Sequence, residues 1–324
     1  MKKKTAVVLF NLGGPDSLEA VQPFLENLFN DPDIFKLPFQ KTLAKYISKK
    51  RAPKVEEEYK LIGGKSPLGY WTELQRSMLQ NQLRSESFPV DVFVAMRYWH
   101  PLTAETASHL EKGDYQKIIL LPLYPHNSIS TTGSSFNEWK RVFKGDPSKC
   151  IYIESYFKDE KYLQSVNQRI DETLLKFPLE VRDKVQLVFS AHGTPKSYIK
   201  KGDPYLCEIM TCVDELMKMR NHSHEHHLCF QSKVGPMKWL EPATDKMIEK
   251  LAEEGKKHLL IIPISFVSDH IETSFELDIE YRHVADECKI ENYIVMEGLN
   301  DSKLFVDSLA GLVKSKLTGE QLLN

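Results

Sequence analysis

The sequence predicts an α/β protein of two similar halves, each built on a four-stranded parallel sheet flanked by helices. Two observations support this. Eight short apolar runs, bounded by Gly, Pro, Asn or charge, alternate with segments of helical periodicity. The punctuation of the first half also recurs in the second. Pro101-Leu-Thr103, Leu110, a Gly-containing turn, the run Ile118 to Leu121, Pro122 and Thr131-Thr132 are matched 141 residues later. The matching features are Pro242-Ala-Thr244, Leu251, Gly255, Leu259 to Ile262, Pro263 and Glu272-Thr273.

Taken in order, the runs predict strands at Thr5 to Phe10, Val92 to Met96, Lys117 to Leu123 and Ile151 to Glu154. In the second half they predict strands at Gln186 to Phe189, Leu228 to Phe230, His258 to Ile262 and Tyr293 to Val295. The runs are continuously apolar rather than alternating, so each sheet is expected to be covered on both faces. Between them, Trp71, Leu74, Met78, Leu79 and Leu83 recur at helical spacing, as do Leu206, Ile209, Met210, Val213 and Leu216. The opening MKKKTAVVLFNLGG has a charged start like a signal peptide. Its apolar run, Ala6 to Phe10, is too short and continues into a Gly-Gly-Pro turn, so it reads as the first strand.

Length and charge narrow the function. A chain of 324 residues accommodates one large or two medium domains. A net charge of -2, from 43 Lys+Arg against 45 Asp+Glu, gives no nucleic-acid footprint. The five cysteines, Cys150, Cys207, Cys212, Cys229 and Cys288, are scattered and contain no Cys-x2-Cys pair. That argues for a reducing compartment without a disulfide framework or structural zinc. No stretch is long and apolar enough to span a bilayer.

Chemistry concentrates after two strands of the second half. Pro263 to Tyr281 holds Asp269, His270, Glu272, Glu276, Asp278 and Glu280 directly beyond a buried run, where ligands of open α/β sheets sit. If helical, it stacks Glu272, Glu276 and Glu280 on one face. His192 follows the strand QLVFS in SAHGTP. An imidazole beside carboxylates accepts a proton near neutral pH or binds a divalent metal, and one His with carboxylates suits a labile Fe2+ rather than a closed zinc site. The first half has Ser128, Ile129 and Thr131 where the second has Asp269, His270 and Glu272. A fold built once without these groups does not need them in its second copy, so their purpose is chemical.

SAHGTP, GDPY at Gly202 to Tyr205, QSKVGPMKWLEP at Gln231 to Pro242 and SFVSDHIETSFELDIEY at Ser265 to Tyr281 resemble the ferrochelatases. So do NLGGP, IGGKSPLGYWT, RYWHP and YPHNSISTTGSS in the first half, over nearly the whole chain and in order. The resemblance implies two Rossmann-like domains around a porphyrin cleft: residues 1-157 with 301-324, and residues 158-300. It implies helices at Glu160 to Phe177 and Lys303 to Leu317 that pass between them, and an unusually wide helical turn around His270. It also implies insertion of Fe2+ into protoporphyrin IX with loss of two protons. His192 is then the proton acceptor and metal-side residue, Glu272 its partner, His270 a support, Glu276 and Glu280 a relay, and Asp269 an anchor for the turn. Leu12, Tyr70, Arg97, Tyr98 and Trp239 match positions of the porphyrin pocket wall.

Departures from the family pattern refine this. Some relatives hold a 2Fe-2S cluster through a cysteine in the YPxxSxS loop and three more in a C-terminal extension. Here that loop has Ile129 and the chain ends at Asn324 without such cysteines, so no cluster and no other cofactor is expected, and a monomer rather than a dimer. Lys60 is followed by Leu61 where the family is more basic, which leaves the propionate contacts open. Asp33 to Arg51 mixes apolar residues with six Lys or Arg and matches the pocket lip, making it the candidate for peripheral contact of a cytoplasmic enzyme with the inner face of a membrane. HSHEHH at His222 to His227 reads as a polar loop rather than a metal-delivery site. The alternatives are a coproporphyrin III or other tetrapyrrole chelatase, and a non-enzymatic bilobal porphyrin or metal carrier.

Overall fold

The computed structural model describes residues 4–233 and 237–318, and these form two compact units. The first, Met1–Tyr156 with Asn300–Asn324, contains β1 (Lys4–Asn11), α1 (Val21–Phe29), α2 (Gln40–Leu61), α3 (Leu68–Ser85) and β2 (Val90–Met96). It continues through α4 (Thr103–Glu111), β3 (Tyr115–Pro122), α5 (Ser134–Val142) and β4 (Cys150–Tyr152). Its strands are all parallel, in the order β2-β1-β3-β4. Every β1 residue from Thr5 onward is buried, which is why its sequence does not alternate. Ala6, Val8, Phe10 and Leu120 pack on Ala107, Leu110, Phe136 and Trp139 of α4 and α5.

The second unit, Phe157–Leu299, contains α6 (Glu160–Leu174), β5 (Gln186–His192), α7 (Lys196–Lys200), α8 (Tyr205–Met219) and β6 (His226–Gln231). It ends with α9 (Thr244–Glu253), β7 (His258–Pro263), α10 (Tyr281–Glu287) and β8 (Asn292–Val295). The Asp159 side chain caps α6 by accepting from Tyr162 N. The parallel order β6-β5-β7-β8 repeats the first sheet strand for strand. The chain then re-enters the first unit as α11 (Lys303–Thr318).

The repeat extends to backbone detail. Met96 N donates to Pro101 O at 2.7 Å in one unit, and Phe230 N donates to Pro242 O at 2.9 Å in the other. A π-helix follows the third strand each time, at Ile129–Gly133 and at Glu272–Glu280.

Two expectations need correction. His192 is the last residue of β5 rather than the first beyond it, and β6 runs on to Gln231, so the two pair in register. Within the segment Asp33 to Arg51, α2 starts at Gln40, and it continues through Pro53 to Leu61. The histidine tract is only partly loop. His226 and His227 open β6, and His224 Nε2 and His227 Nε2 are engaged by Arg182 O and Gln186 Oε1.

Candidate active site

The site of the second unit is assembled from the carboxyl ends of β5 and β6 and from the π-helix beyond β7. His192 is held through its backbone: its N–H donates to Ser265 Oγ at 3.0 Å and its carbonyl accepts from Tyr205 OH at 2.9 Å. Tyr205 and Ser265 bond each other at 2.6 Å, closing the clamp. The imidazole Nδ1 then meets Glu272 Oε2 at 2.8 Å, with side chains 35% and 22% exposed, so the pair reaches solvent from a largely enclosed position.

The π-helix determines what Glu272 and Glu276 do. Its i→i+5 pattern widens the turn, a geometry that is rare and concentrates at functional sites. Thr273 and Leu277 are buried beneath it, and the Leu277 carbonyl accepts from Tyr293 OH at 2.8 Å. Glu272 and Glu276 both turn to Ser232, whose φ of 65° is left-handed. Ser232 N donates to Glu276 Oε1 at 2.7 Å, and Ser232 Oγ lies 2.5 Å from Glu276 Oε2 and 3.1 Å from Glu272 Oε2. Gln231 Nε2 adds a 3.3 Å contact to Glu272, its amide oriented by Ser190 Oγ donating to Oε1. Tyr281 OH completes the shell of Glu276 at 3.0 Å. The expected three-carboxylate face is thereby corrected: Glu280 is exposed and no hydrogen bond joins it to this cluster.

These contacts separate the protonation states. Burial would push His192 down, but the charge and hydrogen bond of Glu272 outweigh it and hold the imidazole above its ordinary value. Burial likewise opposes ionisation of Glu272, yet His192 keeps that carboxyl down at about 2. Glu276 goes the other way. Burial, then the charge of Glu272, push it up to about 7. His270 is 5% exposed, is pushed down by burial, and lies with its ring 4.2 Å from that of Phe266. Its Nδ1 lies 3.2 Å from Ser268 O, while its Nε2 has no hydrogen-bond partner among the described residues. Asp269 Oδ1 accepts from Thr273 Oγ1 and Gly298 N, each at 3.1 Å, tying the turn to the following segment. An ion pair beside a carboxyl raised to about 7 is an arrangement chemically able to take up and release protons near neutral pH.

A protein-family model described as Ferrochelatase matches residues 4–317. The chain belongs to the ferrochelatase family. It is an enzyme, a metal-chelating lyase of haem biosynthesis. Among similar ferrochelatases, that of Citrifermentans bemidjiense is 47% identical over 97% of this chain and 99% of the relative. That of Geotalea uraniireducens is 46% identical over 99% and 100%. That of Trichodesmium erythraeum is 45% identical over 97% of this chain and 83% of the relative. Among solved structures, SirB from Bacillus subtilis with Fe3+ aligns with a TM-score of 0.57 over 98% of both chains at 13% identity, a likeness of fold.

The other ferrochelatase-like positions fall as follows. Trp239 is half-buried and pairs with Pro195 across an isolated bridge, next to Gly193, where an added Cβ would lie 2.6 Å from Gln231 O and 3.4 Å from the indole. Val234, Gly235 and Pro236 of the QSKVGPMKWLEP motif lie outside the described residues. In the first unit, Leu12 is half-buried and Tyr70 is 66% exposed with its ring edge-on to Trp71. Tyr98 is 1% exposed, and its hydroxyl donates to the fully buried Asp31 carboxylate at 2.7 Å. Arg97 Nη2 meets the same carboxylate at 3.0 Å. Tyr98 is therefore an interior residue, and Arg97 is already paired. Lys60 is bound to Glu57 at 2.6 Å.

Motif reading left several contributors without a role: Ser232, Gln231, Tyr205, Ser265 and Tyr281. Ser232 and Gln231 follow an apolar run, and that placement was the available signal. All five lie inside the quoted motifs, but except for Tyr281, which meets Glu276 five residues away, their contacts are long-range, so the motifs do not announce their partners.

Proposed function

We propose that this ferrochelatase inserts Fe2+ into protoporphyrin IX, giving protohaem and two protons, with no resident cofactor. The observation that carries the reading is the His192–Glu272 pair at 2.8 Å with the protonatable Glu276 behind it. Metal insertion must take two protons from pyrrole nitrogens and accept a divalent cation. In its neutral form the His192 imidazole takes a pyrrole proton, and Glu272 stabilises the imidazolium formed. The same two side chains offer one nitrogen and one carboxylate to Fe2+ as the incoming substrate. Glu276 exchanges the released proton through its hydrogen bonds to Ser232 and Tyr281. Neutral His270, packed under Phe266, supports the turn that presents Glu272. Trp239 supplies an aromatic wall for the flat macrocycle.

We further propose that the protein works as a monomer in the cytoplasm, in peripheral contact with the membrane through the start of α2. Phe39 is 89% exposed and Tyr46 65%, and Lys41, Lys45, Lys49 and Lys50 are exposed around them, a pattern suited to an anionic bilayer surface. No described helix is long and apolar enough to cross a membrane.

The reaction is tested by anaerobic loss of porphyrin fluorescence on addition of Fe2+. His192→Ala is expected to slow insertion by about 10²- to 10⁴-fold, the usual contribution of a positioned acid–base group. An unchanged rate would remove His192 as the acceptor. Protoporphyrin IX and coproporphyrin III assayed side by side decide the substrate.

A further inference from the structure

The backbone of His192 begins and ends a closed ring of hydrogen bonds, and the donors fix its direction. His192 N donates to Ser265 Oγ at 3.0 Å, and Tyr205 OH, with its single proton, donates to the His192 carbonyl at 2.9 Å. The 2.6 Å bond between the two hydroxyls is therefore donated by Ser265 to Tyr205. Each bond in such a ring polarises the next, so its members strengthen one another. Tyr205 and Ser265 are both buried, which keeps water from competing.

The ring stands in for a missing length of strand. In a parallel sheet successive residues turn their backbone groups to alternate neighbours. Ser190 O accepts from Ile264 N at 3.1 Å on the β7 side, and Gly193 N donates to Gln231 O at 2.8 Å on the β6 side, so His192 faces β7. But β7 ends at Pro263, opposite Ser190, and the chain leaves the ladder before it reaches His192. Two hydroxyls from other segments take its place, supplying the partners that an enclosed N–H and C=O require. The first unit meets the same need differently. Phe10 pairs with Pro122 as Ser190 does with Pro263, so Leu12 stands where His192 does. Leu12 N donates to the neighbouring Asn11 Oδ1 and its carbonyl accepts from Tyr98 N, each at 2.9 Å. A simpler solution was open to the fold, and the copy that carries the histidine uses the ring instead.

We propose that Tyr205 and Ser265 are positioning residues of the insertion reaction, aiming the His192 side chain through its backbone. The ring fixes where the Cα–Cβ bond points, and Glu272 fixes the rotation of the imidazole through Nδ1 at 2.8 Å. Nε2 is then the nitrogen that presents a lone pair in the neutral form. A general base must lie within hydrogen-bond reach of the proton it takes, and an error of about 1 Å in its placement can cost about 10²-fold. The proposal rests on the metal-insertion reading above and adds which residues aim its proton acceptor.

The test compares wild type, Y205F, S265A and the double variant in anaerobic Fe2+ insertion, with melting curves to normalise rates to folded protein. Each single substitution is expected to lower kcat by about 10- to 100-fold, with KM for the porphyrin within about twofold of wild type. The double variant should be no slower than the slower single one, because opening the ring once removes what both residues contribute. Unchanged kcat, losses that multiply in the double variant, or a rise in KM with kcat kept overturns the proposal. A lower melting temperature with kcat kept marks a purely structural role and does the same. In the wild type, NMR should find the His192 amide protected from hydrogen exchange although it ends a strand. Prompt exchange overturns the ring whatever the variants do. A protected amide in a wild type that inserts no Fe2+ would overturn the proposed reaction and leave the ring standing.

Discussion

Glu276→Gln should make the protein more stable above neutral pH and slower as a catalyst. Burial and the charge of Glu272 raise the Glu276 carboxyl from 4.5 to about 7. Between those values the native state keeps a proton that the unfolded chain has released, so stability falls as pH rises through the window. Forcing the group to ionise costs the folded state about 3 kcal/mol at full displacement, and about 1–3 kcal/mol once partial contact with solvent is allowed for. Gln has the same shape. Its oxygen accepts from Ser232 N and Tyr281 OH as Glu276 Oε1 does, and its amide donates to Ser232 Oγ. Melting curves of wild type and variant should coincide near pH 5 and separate by several degrees at pH 8, with the variant higher, at about 2–4 °C per kcal/mol. A separation that does not change with pH, or a variant that melts lower at pH 8, would refute the assignment of Glu276 as a strained, protonatable carboxyl.

Other outcomes follow from the same contacts. The insertion rate should rise with pH as His192 loses its proton, with a midpoint above the ordinary histidine value. In Glu272→Gln the main charge and hydrogen bond that oppose burial are lost, so the midpoint should move down, as read from the pH profile of kcat/KM. Gly193→Ala places a methyl against the Gln231 carbonyl and should cost about 1–3 kcal/mol by denaturant titration, with a rise in KM if the Trp239 wall shifts. Asp31→Ala leaves Arg97, 9% exposed, without its buried partner and should destabilise the first unit by about 3–5 kcal/mol. Melting temperature and soluble yield would report it.

All eight strands were legible in the sequence because each is a short, largely apolar run with turn residues or charge at its ends, and those buried on both faces, such as β1 and β7, are apolar along nearly their whole length. So was the duplication, since Pro101 and Pro242 or Gly113 and Gly255 punctuate equivalent turns and punctuation is local chemistry. His270 and Glu272 stood out because the sister half folds without them, and His192 and Glu276 because they follow buried strands. The sequence alone therefore determined the architecture and the identity of the charged groups. Only the tertiary structure decided their states. Ser232 meets Glu272 and Glu276 from 40 and 44 residues away, Tyr205 and Ser265 clamp His192 from two other segments, and a widened helix turns Glu276 inward while Glu280 stays in solvent. Proton affinity depends on burial and on charges within a few ångströms, and folding sets those distances between residues far apart in the chain.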